Sequence, residues 1–407
     1  MATDSELELR ARANGWPEGL LARAQAVLLP YEVEINLSPG AWPREDLLRE
    51  LDARERTAKG PFRIREMNIR DIDAFAELWA HSPEKIGDWT VTVERSPNSL
   101  AQFRLHEDCS ITVLEEGGAL YACTAWSNRI VLIGGTLVPI HVAHSMRVHE
   151  SRRGERLADL VRRYPPRATY ARRNIGQFMY VRTGNHNVLG FLGKVSNEAF
   201  GAIGAAGVKS TITHLSPRQI GEDTQGVRNA RREDADACAA LINATHGRFD
   251  LFAPYTAENL AARLGQGYPE KPPSFVPHVY GWQDFYVLEE NGCIAACGGL
   301  WDRGRDMREV WRRNDDETRT VAVTNLLDFG YADGKEGAMV RLIGYLLGRT
   351  AELGRTSLVA PLDRLPVLAE ACARFEPRLE ERTFEWTPFT PDMPRTIPEP
   401  YTDLRFW

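Results

Sequence analysis

The chain spells out one order of structural elements twice, and no other feature constrains its fold as tightly. In the first pass, Phe62 to Met67 reads as a strand and Arg70 to Trp79 as a helix, with Ile72, Phe75 and Leu78 at helical spacing. Ser110 to Glu116, the Gly117-Gly118 turn and Ala119 to Trp126 form a predicted hairpin. A third strand, carrying Ile140, Val142 and Val148, runs into a basic turn around Gly154 and then a helix with Leu157, Leu160 and Val161 on one face. Gly176 to Thr183 reads as another strand, and Asn185 leads a further helix.

The second pass starts at Val227, with a strand and a helix through Asp234 and Ala237. Asp284 to Glu290, the Asn291-Gly292 turn and Cys293 to Leu300 repeat the hairpin; Asn-Gly suits a two-residue turn because both residues tolerate positive φ. Val321 to Tyr331 is the next strand, followed by a turn holding Gly334 and Gly337 and another helix. Ser357 to Asp363 and Leu365 to Phe375 close the pattern as strand and helix.

The segment from Pro139 to Tyr164 carries the chemistry. The first amides of a helix lack intrahelical partners and sit at the positive end of its dipole, so a basic glycine turn opening into a helix can cradle a phosphate. Arg153-Gly154-Glu155-Arg156-Leu157-Ala158 resembles the pyrophosphate-binding motif of the GCN5-related N-acetyltransferases, Arg/Gln-x-x-Gly-x-Gly/Ala at the end of the fourth strand. It fits the first and last positions and departs where Arg156 replaces the usual glycine. Arg156 could reach the phosphate with its guanidinium or block the cradle; a plain strand-to-helix connection with solvated arginines is the bland alternative. The second pass keeps Gly334 and Gly337 but has no arginine at the motif position.

The resemblance implies an α/β (α+β) architecture of two tandem domains. Each is expected to be a mixed, mostly antiparallel twisted sheet flanked by helices, and a small N-terminal helical extension precedes them. The 407 residues suit this count. The expected boundaries are 1–58 for the extension, 59–215 and 216–387 for the domains, and 388–407 for a proline-rich tail. Trp16 and Trp42 of the extension are expected to pack on the first domain, Gly201 to Gly207 to be a small-residue connector, and Pro388 to Pro400 to run extended over the surface.

Composition narrows the classes further. Hydrophobic residues make up 43% and charged residues 26%, an ordinary soluble balance. No apolar run approaches the roughly 20 residues that span a bilayer, and the start is not basic-then-apolar, so a cytoplasmic enzyme without membrane association is expected. Six scattered cysteines give neither a zinc knuckle nor a disulfide framework. His149-Glu150 lacks the second histidine of a zinc protease, and no metal site is expected. A net charge of −6 argues against nucleic acid, although Arg147, Arg152, Arg153, Arg156, Arg162, Arg163, Arg167, Arg172, Arg173 and Arg182 crowd one interval. Such a patch could hold the phosphates of coenzyme A.

The resemblance then implies transfer of an acyl group, most simply acetyl, from a coenzyme A thioester to a small amine. The cofactor-binding residues it points to are Met146, Val148, Arg152, Arg153, Gly154, Glu155, Arg156, Leu157, Ala158 and Asn185. The chemistry needs a base, a donor to the carbonyl oxygen and an acid for the thiolate. His144, Ser145 and Glu150, in or just after the fourth strand, are the candidates for base; for His144, a core histidine satisfied by a carbonyl is the alternative. The family's tyrosine acid maps to Leu192, which leaves Tyr180 as a substitute, and the helix from Leu365 to Phe375 has no tyrosine either. One tandem group of the family uses its terminal carboxylate as base, which adds Trp407 by analogy, against simple packing of Phe406 and Trp407. The rivals are a non-catalytic acyl-CoA-binding protein and a related enzyme performing O-acylation or thioester decarboxylation. A homodimer is compatible with either reading.

Overall fold

The computed structural model describes residues 62–106, 108–163, 176–182, 206–219, 224–266, 279–313, 317–388, 394 and 396–406. The expected N-terminal extension, the Asn185 helix and Trp407 lie outside the described residues.

In the first half, β1 (Arg63–Glu66) leads through a 3-10 turn into α1 (Ile72–Ala80), which buries Phe75, Leu78 and Trp79. A short hairpin follows, β2 (Glu84–Ile86) and β3 (Trp89–Arg95), then β4 (Cys109–Glu116), β5 (Ala119–Ile133) and β6 (Thr136–Val148) as a meander. Next come α2 (Leu157–Arg163), β7 (Gly176–Arg182) and β8 (Ala206–Leu215). The second half runs β9 (Val227–Asn229), α3 (Ala235–His246), α4 (Ala257–Gln266), β10 (Phe285–Glu290), β11 (Cys293–Trp301), β12 (Met307–Arg313), β13 (Thr318–Val321) and β14 (Val323–Tyr331). It closes with α5 (Glu336–Glu352), β15 (Ser357–Ala360), α6 (Pro366–Ala371) and β16 (Arg378–Pro388). Asn291 and Gly292 take φ of +52° and +77°, as the hairpin reading requires.

The repetition has an atomic signature. Arg65 donates to Asp71 at 2.6 and 2.8 Å and to Glu115 at 2.7 Å. Arg228 donates to Asp234 at 2.7 and 3.0 Å and to Glu289 at 3.0 Å. Each aspartate also accepts a backbone N–H three residues before it, from Asn68 or Arg231, and so fixes the strand-to-helix turn in both halves.

Twelve strands form one sheet in the order β1-β4-β5-β6-β7-β16-β8-β15-β14-β11-β10-β9. The order is palindromic about the β16/β8 pair. The last strand of each half is exchanged: β16 lies against β7, from Arg382↔Arg182 to Pro388↔Gly176, while β8 lies against β15. A four-stranded sheet, β13-β12-β3-β2, joins the halves a second time through Met307↔Arg95 to Arg313↔Trp89. One continuous core includes Phe75, Phe103, Val113, Phe285, Phe329, Leu346 and Leu404.

Two local expectations are corrected. Ala206 and Gly207, at the end of the expected connector, belong to β8 and pair with Trp386 and Glu385, because β16 gives their backbone groups hydrogen-bond partners, while Gly201 to Ala205 lie outside the described residues. In the stretch from Pro388 to Pro400, expected to run over the surface, Ile397 and Pro400 are buried while Pro394, Thr396, Pro398 and Glu399 are exposed. After it Tyr401, Leu404, Arg405 and Phe406 are buried, Phe406 as the packing alternative expects, because apolar groups gain more from the groove between the halves than from water.

Candidate active site

β6 and β7 run parallel and pair only at His141↔Gln177 and Val142↔Phe178; beyond that point no pairing joins them. The gap between them exposes the β6 backbone. At Ser145 the chain takes φ +56°, and Thr124 of β5 faces two β6 residues, Ser145 and Met146, where its neighbours face one each. This bulge turns the backbone after Ser145 toward the gap. β14 repeats the device at Asp328, φ +49°, with Gly298 opposite two residues.

Two cavities meet at this bulge. The outer one, about 460 Å³, is lined by Ser82 to Lys85, Met146 to Val148 and the turn residues Arg152, Arg153, Gly154, Arg156, Leu157 and Ala158. The inner one, about 140 Å³, is lined by His144, Ser145, Met146, Tyr180, Phe406 and a set of charged side chains. Met146, Arg147 and Glu84 border both, so the two spaces adjoin across β6. A third space of about 410 Å³ backs onto the inner cavity through Arg182, Arg303 and Glu309.

In the turn, Gly154 has φ +90°, and a side chain there would meet nothing within 4 Å, so the loop faces open space. Arg156 has φ +59°: it adopts the left-handed backbone that a glycine would supply, at a steric cost an arginine ordinarily avoids. The Arg156 side chain lines the outer cavity. Arg152 is committed elsewhere, with Glu116 and Glu155 each at 3.0 Å and its guanidinium over Phe62 and Tyr121. Arg153 donates to the Pro83 carbonyl and is exposed. Leu157 is buried and anchors α2 under β5, and Glu155 holds Arg152 rather than a ligand.

Some of the crowded arginines are held by protein partners instead. Arg147 pairs with Glu84 at 2.7 Å over the Trp79 ring, and Arg182 turns inward to Glu309. Reading Arg182 as part of the phosphate patch is therefore corrected: alternation along β7 points it into the inner cavity, where a carboxylate waits.

Of the catalytic candidates, the structure brings His144, Ser145 and Tyr180 to the inner cavity and leaves Glu150 outside both. The Glu150 backbone N–H donates to the His81 carbonyl at 2.8 Å, and its side chain is exposed. His144 has Nε2 2.9 Å from Ser127 Oγ and Nδ1 3.1 Å from Ser145 Oγ. Burial, with Arg95 and Arg129 nearby, pushes its pKa down to about 3, so the imidazole is neutral and links two hydroxyls. Tyr180 donates to the Tyr401 carbonyl at 2.8 Å and accepts from Asp403 N–H at 3.2 Å; burial pushes its pKa up.

The sequence reading missed Trp79, Arg95, Arg303, Glu309, Arg382 and Phe406, all of which line the inner cavity. They come from α1, β3, the helical turn Arg303–Asp306, β12, β16 and the last turn. Only the alternation of Phe384 and Trp386 hinted at β16. Phe406 stacks on His106 at 4.4 Å and meets His144 edge-on at 5.2 Å.

The second bulge is filled. Asp328 accepts from the Tyr255 hydroxyl and from the Tyr280 hydroxyl at 3.1 Å, with Arg263 at 3.3 Å and Arg405 at 3.4 Å. Burial raises its pKa, but Arg405 and Arg263 outweigh that and hold it below the usual carboxylate range. Arg405 also binds Asp403 at 2.7 Å. Among the described residues no group of three or more metal-ligating side chains converges, and no helix is long and apolar enough to cross a membrane.

This architecture is shared with known structures. N-myristoyltransferase of Saccharomyces cerevisiae, in a structure with bound myristoyl-CoA, superposes with a TM-score of 0.56 at 12% identity over 81% of this chain and 83% of that one. A GCN5-related N-acetyltransferase from Sphaerobacter thermophilus gives 0.50 at 16% identity, over 86% of this chain and 100% of that one. No protein-family profile and no curated protein sequence matches the chain.

Proposed function

We propose that this chain, which has the fold of the GCN5-related N-acetyltransferases and of N-myristoyltransferase, is an acyl-CoA-dependent N-acyltransferase acting on a small amine, with acetyl-CoA the simplest donor. The observation that carries the reading is the meeting of the two cavities at the β6 bulge, with a glycine turn lining one, Ser145 lining the other and Met146 bordering both. A cytoplasmic location goes with it.

The residues divide the work as follows. The turn amides from Arg153 to Ala158, with the Arg153 and Arg156 guanidinium groups, would hold the pyrophosphate, since backbone N–H groups and arginine both favour phosphate oxygens. Past the bulge, β6 has unpaired backbone toward β7, and the N–H groups of Met146 and Val148 are the donors available for a thioester oxygen, because the Arg147 N–H faces β5. The amine would attack from the inner cavity. As the C–N bond forms and the thioester C–S bond breaks, the amine proton would pass by way of the Ser145 hydroxyl, hydrogen-bonded to neutral His144, and water to the departing sulfur, so that coenzyme A leaves as the thiol. Asn185 and Trp407 remain candidates by resemblance alone.

The doubling reads as a tandem repeat, with the first half working and the second shaping it. One observation favours the non-catalytic alternative: the Tyr180 hydroxyl is already engaged by the segment at Tyr401 and Asp403. Release of free coenzyme A from acetyl-CoA across an amine panel separates the two. Binding without release would leave a binding protein.

A further inference from the structure

We infer that the inner cavity receives a substrate carboxylate on the guanidinium of Arg95; this rests on the acyl-transfer reading above and deepens it to a substrate class. The lining holds five arginines, Arg95, Arg147, Arg182, Arg303 and Arg382, and two glutamates, Glu84 and Glu309. Glu380 behind them adds a third carboxylate. Positive charge therefore exceeds negative by two among the described residues.

The surplus centres on Arg95. Arg147 pairs with Glu84, Arg182 with Glu309, Arg303 with Glu309 at 3.5 Å, and Arg382 with Glu380 at 2.8 Å. Arg95 meets only neutral acceptors, the Ser99 carbonyl at 3.1 Å and Gln102 Oε1 at 2.6 Å, and its Nε has no hydrogen-bond partner among the described residues. It is 4% exposed and sandwiched by Trp79 at 3.8 Å and Phe103 at 4.9 Å. No carboxylate among the described residues pairs with it, a buried cation without a counter-ion is costly, and a ligand carboxylate would offset that cost. Burial, with Arg147 and Arg303 alongside, pushes the Arg95 pKa well down, and a bound carboxylate reverses that pressure. The Trp79 and Phe103 rings fix the guanidinium plane, which suits a planar, two-oxygen partner.

The carboxylate can come from either of two sources, the acceptor or the acyl group, and the experiment separates them. With the full chain and acetyl-CoA, the twenty amino acids are compared with their carboxamides as acceptors. In parallel, succinyl-CoA is compared with butyryl-CoA as donor. One arm should show a ten- to hundred-fold preference in kcat/KM for the carboxylate form, lost in Arg95→Met and kept in part by Arg95→Lys. No preference in either arm with the unaltered protein, or a preference intact in Arg95→Met, overturns the inference. Should Arg95→Met fail to fold, the unaltered protein and Arg95→Lys still decide. Thermal stabilisation by succinate relative to succinamide is measured without any thioester. Stabilisation that disappears in Arg95→Met while no coenzyme A is ever released keeps the carboxylate site and refutes the acyltransferase reading.

Discussion

Asp328 stands in one half of the sheet where Ser145 stands in the other. Each is the positive-φ residue three places beyond the last parallel-paired residue of its strand, Asn325 in β14 and Val142 in β6. Ser145 borders open space, whereas Asp328 is covered by two tyrosine hydroxyls and two guanidinium groups. Side chains fill at the second bulge the space that stays open at the first.

One high-affinity coenzyme A site per chain is the expected result of calorimetry. Gly154→Val, which forces a β-branched residue to φ +90°, should weaken binding ten- to a hundred-fold. Gly337→Val, in the first turn of α5, should leave it unchanged. Two equal sites, or loss through Gly337 alone, would reverse the roles of the halves.

At Arg156 the backbone already has a glycine's geometry. Arg156→Gly relieves the left-handed strain against a more flexible unfolded chain, so stability should stay level or rise by up to about 1 kcal/mol, while Arg156→Val should cost more than that. Denaturant titration of both variants decides; a destabilised glycine variant would mean that the guanidinium holds the loop.

Breaking the second cluster should be expensive. Asp328→Asn leaves Arg263 and Arg405 facing a neutral amide, and a buried pair broken from one side costs roughly 3–5 kcal/mol; Arg405 keeps Asp403, so the lower end is expected. In the double variant with Arg405→Met the two losses should fall short of their sum. Strict additivity would show that the two groups do not interact.

Acid should destabilise the protein well above the carboxylate range. Burial, with Arg95 and Arg129, holds His144 at about 3, and burial with Arg248 nearby holds His246 at about 4, although its bond to the Phe329 carbonyl opposes the shift. An unfolded histidine titrates near 6.5. Between those values the unfolded state binds more protons, so stability is complete above about pH 6.5 and falls as pH drops toward the folded pKa, by up to about 1.4 kcal/mol per unit for each histidine. In His246→Gln the slope between pH 6.5 and 5 should flatten by about that amount; an unchanged slope would mean that His246 is not buried neutral.

Phe406 touches His106, His144, Phe178 and Tyr180, and truncating a buried phenylalanine costs about 3–5 kcal/mol. Phe406→Ala should lower Tm sharply, and Phe406→Leu should restore most of it. A Phe406→Ala protein as stable as the parent would show that the segment does not dock.

The repeated order of elements was legible because each strand, turn and helix announces itself locally. Asn291-Gly292 needs only its own φ preference, and the Ile72, Phe75, Leu78 spacing needs only one helix face. The glycine turn was legible for the same reason. The inner cavity was not, because Arg95, Arg303, Glu309 and Arg382 lie on segments brought together by β3 pairing with β12 and β16 with β7. Nothing within ten residues of Arg95 indicates Arg303. Charged residues on short strands read as solvated edges until a partner strand covers them.

The exchange of β8 and β16 also sets a timetable for synthesis. A ribosome releases β7 some two hundred residues before it makes the strand that will pair with it, and during that interval β7 has an open edge with its apolar face uncovered. In the folded chain β7 takes its partner β16, and β15 its partner β8, from the other half, so the sheet of the first half is completed only when the last strand emerges. Cutting the gene between the repeats would yield two fragments that each lack a strand, and only their co-expression could return a whole sheet.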